Sequence, residues 1–127
     1  MEGHIIINNY IQGDPLSKEN IDKTLETVDR FRLLFPNKSI WLYSGYSWEE
    51  CQPFSEEGLL KGSNFAPNLQ KILKKRYEII SKCDVIIDGR YIDSQRDITL
   101  KYRGSSNQKV IDVQQSLQQG EIILYCD

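Results

Sequence analysis

The chain has 127 residues, and 16 Lys+Arg against 18 Asp+Glu leave a formal charge of −2. That length suits one compact domain, residues 1–127, and 39% hydrophobic with 27% charged residues describes a chain able to build a core, which excludes wholesale disorder. The near-neutral balance offers no broad basic field for nucleic acid or anionic lipid, and no run of about 20 apolar residues is present to cross a bilayer, so a cytoplasmic protein is expected.

His4-Ile5-Ile6-Ile7-Asn8 is too short for a helix and reads as a buried strand, stopped by a polar, glycine-containing loop from Asn9 to Pro15. His4 itself reads as a terminal polar residue. Ser17 is placed to cap a helix in which Ile21, Leu25, Val28, Phe31 and Phe35 recur at three- and four-residue steps and make one apolar stripe. Pro36-Asn37 ends it. Ser39 to Tyr43 is a second strand running into Ser44-Gly45-Tyr46, and Ser47 with Glu50 has the spacing of a capping box. An irregular excursion of about 51–68 follows, broken by Pro53, Gly58, Gly62 and Pro67.

Leu69, Ile72, Leu73, Ile79 and Ile80 then resume helical spacing, with Lys71, Lys74, Lys75 and Arg76 assigned to a solvated basic face. Asp84 to Asp88 is a third strand, closed by Gly89. The remainder reads as a polar loop to Gly104-Ser105-Ser106-Asn107, a short apolar segment Val110 to Val113, a Gln-rich helical turn and a last strand Ile122 to Tyr125. Alternating strands and helices imply an α/β fold with mostly parallel strands, in which ligand sites collect where the strands end. The three exits, Gly13-Asp14, Ser44-Gly45-Tyr46 and Asp88-Gly89, therefore fall on one edge. Cys51, Cys83 and Cys126 lie far apart in sequence, form no Cys-x-x-Cys pair, and read as reduced, partly buried thiols.

Taken in order, Gly13-Asp14-Pro15-Leu16, Ile40-Trp41-Leu42-Tyr43-Ser44-Gly45-Tyr46, Asp84-Val85-Ile86-Ile87-Asp88-Gly89 and Arg103-Gly104-Ser105-Ser106-Asn107-Gln108 resemble the activating proteins of anaerobic ribonucleoside-triphosphate reductase, a radical-SAM family of glycyl-radical activases. The resemblance implies a partial radical-SAM (β/α) barrel, S-adenosylmethionine and a [4Fe-4S] cluster as cofactors, and the reductase as partner. In the family the cluster donates an electron to S-adenosylmethionine, and the resulting 5′-deoxyadenosyl radical takes a hydrogen atom from a reductase glycine. The chemistry needs no protein general base, so no catalytic side chain is assigned.

By the same resemblance Gly13 approaches the methionyl group, Asp14 orients that loop, Tyr46 and Trp48 flank adenine, and Asp88 reaches a ribose hydroxyl. Gly13 also suits a plain turn, Asp14 a plain loop start and Asp88 a capped turn, and Tyr46 and Trp48, as aromatic residues beside a strand, suit the core. Arg103, Ser105, Ser106 and Asn107 would shape the site's mouth or meet the reductase, or simply form a Ser-rich turn. Two departures stand out. The family's Cys-x3-Cys-x2-Cys cluster loop is missing, so no metal ligand is assigned, and Gln12 replaces the first of two glycines before Asp14. The chain therefore reads as the C-terminal portion of a radical-SAM core, inactive alone, with a sheet edge at Ile5 to Ile7 inviting self-association. Two other readings stay open: a non-catalytic module that binds the reductase or a nucleotide, and an unrelated small α/β nucleotide-binding domain.

Overall fold

The computed structural model describes residues 3–52 and 67–126. Most of the 51–68 excursion lies outside the described residues. The elements are β1 (His4–Ile6), a 3-10 turn (Ile7–Tyr10), α1 (Ile21–Leu34), β2 (Ser39–Tyr43), a 3-10 turn (Glu49–Cys51), α2 (Pro67–Ser81), β3 (Val85–Asp88), a 3-10 turn (Asp93–Gln95), β4 (Lys109–Asp112), α3 (Val113–Gln119) and β5 (Leu124–Cys126). They form an α/β structure around one five-stranded sheet, in the spatial order β1-β2-β3-β4-β5.

The expectation of mostly parallel strands is corrected by the pairing. β1, β2 and β3 are parallel, but β4 runs antiparallel to β3 and β5 antiparallel to β4, so the sheet is mixed. The cause lies in the connections. A parallel return needs a long crossover, which α1 supplies between β1 and β2. Between β3 and β4 the described chain has only the Asp93–Gln95 turn and loops, and the chain comes back beside β3 in the opposite direction. The Val110 to Val113 segment is thus the middle of a strand and the start of a helix.

Strand side chains alternate between two apolar layers, as a two-residue period requires. Ile40, Leu42, Ile86 and Ile111 join Val28, Ile79 and Ile80 in the larger core. Trp41, Val85, Ile87 and Val110 form a second cluster on the other face, with Tyr43 and Tyr102 packed against it. His4 is not a terminal polar group: its ring stacks on that of buried Trp41 at 4.6 Å between centroids.

Two further expectations change. Ser17 does not cap α1; Asn20 occupies the position before Ile21, and its side chain instead donates to the carbonyls of Gln12 (2.9 Å) and Asp14 (3.0 Å). Arg76 is not on a solvated face but buried, because its guanidinium has a carbonyl and an aromatic ring to satisfy it. The Ser47–Glu50 capping box is as expected: Ser47 N–H donates to Glu50 Oε1 (3.1 Å) and Glu50 N–H to Ser47 Oγ (3.2 Å).

Candidate functional site

Because β1, β2 and β3 are parallel, the loops leaving them meet on one edge. The side chain that joins the first two is Asp14. Its carboxylate accepts from Leu16 N–H (2.9 Å) within its own loop, and from Ser44 Oγ (2.9 Å) and Gly45 N–H (2.8 Å) at the exit of β2. Gly45 fits because a Cβ there would come within 3.3 Å of both Asp14 Oδ2 and Arg90 Cγ. Asn8 reinforces the seam, since its amide both accepts from Tyr43 N–H (2.8 Å) and donates to Tyr43 C=O (2.9 Å), continuing the β1–β2 ladder past the end of β1.

Above this seam lies a cleft of about 550 Å³ lined by Asp14, Gly45, Tyr46, Ser47, Glu50, Gly89 and Arg90. A neighbouring recess of about 240 Å³ shares Asp14, Gly45, Gly89 and Arg90. Tyr46 is held from behind by Arg76, whose Cζ sits 3.8 Å from the ring centroid while its Nε donates to Leu16 C=O (2.9 Å). One guanidinium thus ties α2 to the loops after β1 and β2.

The structure brings Asp14 and Tyr46 together at the cleft and sets other expected residues apart. Gly13 is exposed with φ +91°, a conformation glycine adopts freely, and it precedes the cleft wall at Asp14. Asp88 is 2% exposed, and its oxygens accept from Trp48 N–H (2.7 Å) and Lys109 N–H (3.1 Å). It fastens the loop after β2 and the start of β4, and it does not line the cleft. Trp48 is buried in the larger core.

The Arg103–Gln108 string is a turn folded on itself. Arg103 Nη1 donates to Gln108 C=O (2.6 Å), and Ser105 Oγ donates to Asn107 Oδ1 (2.6 Å) while receiving Ile92 N–H (3.2 Å). Ser105 is fully buried, whereas Ser106 is exposed and donates to Gln95 Oε1 (3.2 Å). Asn8, Arg76 and Arg90 shape this region although no signal in their sequence spacing marked them; Ser44 and Gln108 lay in marked segments, but their own roles did not show there.

The chain is an α/β domain whose parallel strand exits converge on a polar cleft, the place where such sheets carry ligand sites. Residues 9–111 match the model of the 4Fe-4S single cluster domain, and the chain belongs to that family. It is similar to anaerobic ribonucleoside-triphosphate reductase-activating proteins: that of Escherichia coli (strain K12) is 29% identical over 98 residues, 77% of this chain and 50% of that protein. The Vibrio cholerae protein is 33% identical over 98 residues, again 77% and 50%. That of Enterobacteria phage T4 is 30% identical over 110 residues, 80% of this chain and 54% of the phage protein. The chain thus spans about half the length of the relatives it matches. These similarities bear out the resemblance read from the Gly-Asp-Pro-Leu, Trp-Leu-Tyr-Ser-Gly-Tyr and Arg-Gly-Ser-Ser-Asn-Gln segments. No solved structure matches the chain.

The family's cluster does not fit this chain's own side chains. Cys51 closes a 3-10 turn, Cys83 follows α2, and Cys126 ends β5. All three are free, and Cys51 and Cys83 are buried. Burial pushes both thiols up to about 12; at Cys51 the Arg76 charge opposes this while the Glu50, Asp88 and Asp14 carboxylates add to it. A cluster ligand must be a thiolate, so these positions disfavour the ligating form. Among the described residues no group of three or more His, Cys, Asp or Glu is placed to hold a metal ion.

Proposed function

We propose that this chain provides the S-adenosylmethionine-facing and reductase-facing part of a radical-SAM activase for anaerobic ribonucleoside-triphosphate reductase, a portion of a partial (β/α) barrel whose cluster thiolates come from a polypeptide segment outside it. The observation that carries the reading is the family match over residues 9–111, combined with a cleft at the strand exits that those same residues build. Within it Gly13 lets the loop backbone approach the methionyl end, Asp14 fixes that loop to the exit of β2, and Tyr46 offers a ring face for the base. Asp88 holds the loop after β2 from beneath through Trp48 N–H. Arg103, Ser106 and Asn107 edge the mouth toward the reductase, and buried Ser105 supports them from within the turn. The setting is the cytoplasm; among the described residues no helix is long and apolar enough to cross a membrane.

The misfit of the thiols favours a second reading, a non-catalytic module that binds the reductase or a nucleotide. One experiment separates them. The chain is mixed anaerobically with a separate polypeptide carrying a Cys-x3-Cys-x2-Cys loop, iron and sulfide are supplied, and 5′-deoxyadenosine is measured after reduction. Release of 5′-deoxyadenosine by the mixture, absent from either component and lost with Gly13→Val, supports the activase reading. Reductase binding without any cleavage supports the second and ends the first.

A further inference from the structure

The tight turn at residues 103–108 aims its two side-chain amide donors, those of Asn107 and Gln108, at one target, the peptide that leaves β3. Gln108 Nε2 donates to Gly89 C=O (3.0 Å), and Asn107 Nδ2 donates to Arg90 C=O (2.8 Å). The acceptor ends of the same two amides hold the turn itself. Gln108 Oε1 receives Gly104 N–H (3.0 Å) and Ser105 N–H (3.2 Å), and Asn107 Oδ1 receives Ser105 Oγ (2.6 Å). Gln108 is buried, at 9% exposure, 19 residues away from the carbonyl it grips.

What is gripped matters because Gly89 and Arg90 line both the cleft and its neighbouring recess. Gly89 sits at φ +92°, a conformation glycine adopts freely, and its N–H reaches back to Tyr46 C=O (3.3 Å), another residue of the cleft lining. Arg90 is exposed and is, among the described residues, the only cationic side chain lining the cleft.

We infer that Asn107 and Gln108 are positioning residues, clamping the Gly89–Arg90 peptide so that the turn at residues 103–108 works on the cleft and its one cation. This rests on the activase reading only for what occupies the cleft; the clamp itself is a property of this chain.

The test uses variants that keep each acceptor and remove each donor. Asn107→Asp retains the Ser105 contact and loses the grip on Arg90 C=O. Gln108→Glu retains the contacts to Gly104 and Ser105 and loses the grip on Gly89 C=O. Amide hydrogen exchange of the full chain is followed at pH 7, read as the protection factor of the Gly89 N–H. Protection falling about tenfold in each variant, with amides in α1 unchanged, is the expected result. Gln108→Glu adds a signature that a merely structural role would not produce: at pH 5 part of the introduced carboxyl regains a proton and can donate again, restoring protection relative to wild type at that pH. Gly89 protection unchanged in both variants overturns the inference. Should Gln108→Glu fail to fold, Asn107→Asp, whose lost bond lies at the exposed side of the turn, decides alone. In the cluster-supplied mixture the variants raise the S-adenosylmethionine KM more than they lower kcat. Wild type without turnover there fails the activase reading while the exchange data still judge the clamp.

Discussion

A thiol surrounded by apolar side chains and carboxylates resists ionisation, and that resistance makes stability depend on pH. Cys51 and Cys83 are held at about 12 by burial, against 9.0 for an ordinary thiol. Between these values the unfolded chain releases protons that the folded chain keeps, so the unfolded state binds fewer and stability falls as pH rises. At pH 7 the two states are protonated alike and the effect vanishes. Urea midpoints are therefore expected to be nearly flat in this respect from pH 7 to 8 and to drop through pH 9 toward pH 11. In a Cys51→Ala, Cys83→Ala chain the drop becomes shallower, although its starting stability is lower from the two cavities. Alkylation gives a second readout. At pH 8 half-buried Cys126 should react first, and the two buried thiols only as fast as the chain opens. Equal, rapid labelling of all three in folded protein would contradict the burial.

Between elements, the corresponding agent is Asp14, which fastens the exit of β1 to the exit of β2. Alanine there leaves Leu16 N–H, Gly45 N–H and Ser44 Oγ without their acceptor, a loss of about 2 kcal/mol for hydrogen bonds to a charged group in a partly open site. In urea that is a midpoint shift of about 1 M. Asn at this position keeps one oxygen and should recover roughly half of the loss; a shift too small to measure in Asp14→Ala would mean that the seam is held by the Asn8–Tyr43 pair instead. Much of this level was legible in the residues. The stripe of α1, the runs of β2 and β3, and the reciprocal spacing of Ser47 and Glu50 each express a local period that needs no partner to be read. Arg76 was not legible, because what buries it is a carbonyl and a ring brought from loops 60 and 30 positions away. Nor was the direction of β4. Lys109-Val110-Ile111-Asp112 reads the same as a strand in either direction, and only the connection before it decides which. Asp14 and Tyr46 at the site were marked by following a strand, whereas the inward grip of Asn107 and Gln108 depends on where a distant carbonyl lies.

For the molecule as a whole, the sheet order leaves two edges, β1 and β5, and they differ in how well they could accept another strand. β5 pairs with β4 through a register shift between Val110 and Ile111, an irregularity that twists an edge away from flat pairing. β1 runs in unbroken register with β2, His4 opposite Ser39, Ile5 opposite Ile40 and Ile6 opposite Trp41. It carries isoleucine rather than the lysine or proline that protects exposed edges, so its outer backbone groups are a template for pairing. The chain by itself is therefore expected to self-associate through β1, with a sedimentation coefficient that rises with concentration. Ile6→Lys places a charge on that edge where the isoleucine is half-buried, and should return the chain to a monomer while far-ultraviolet circular dichroism stays unchanged. A wild-type chain that sediments as a single monomer at every concentration removes the edge as an association site. If Ile6→Lys associates as strongly as wild type, the contact instead belongs to the other edge, where Leu124 and Tyr125 are 44% and 45% exposed.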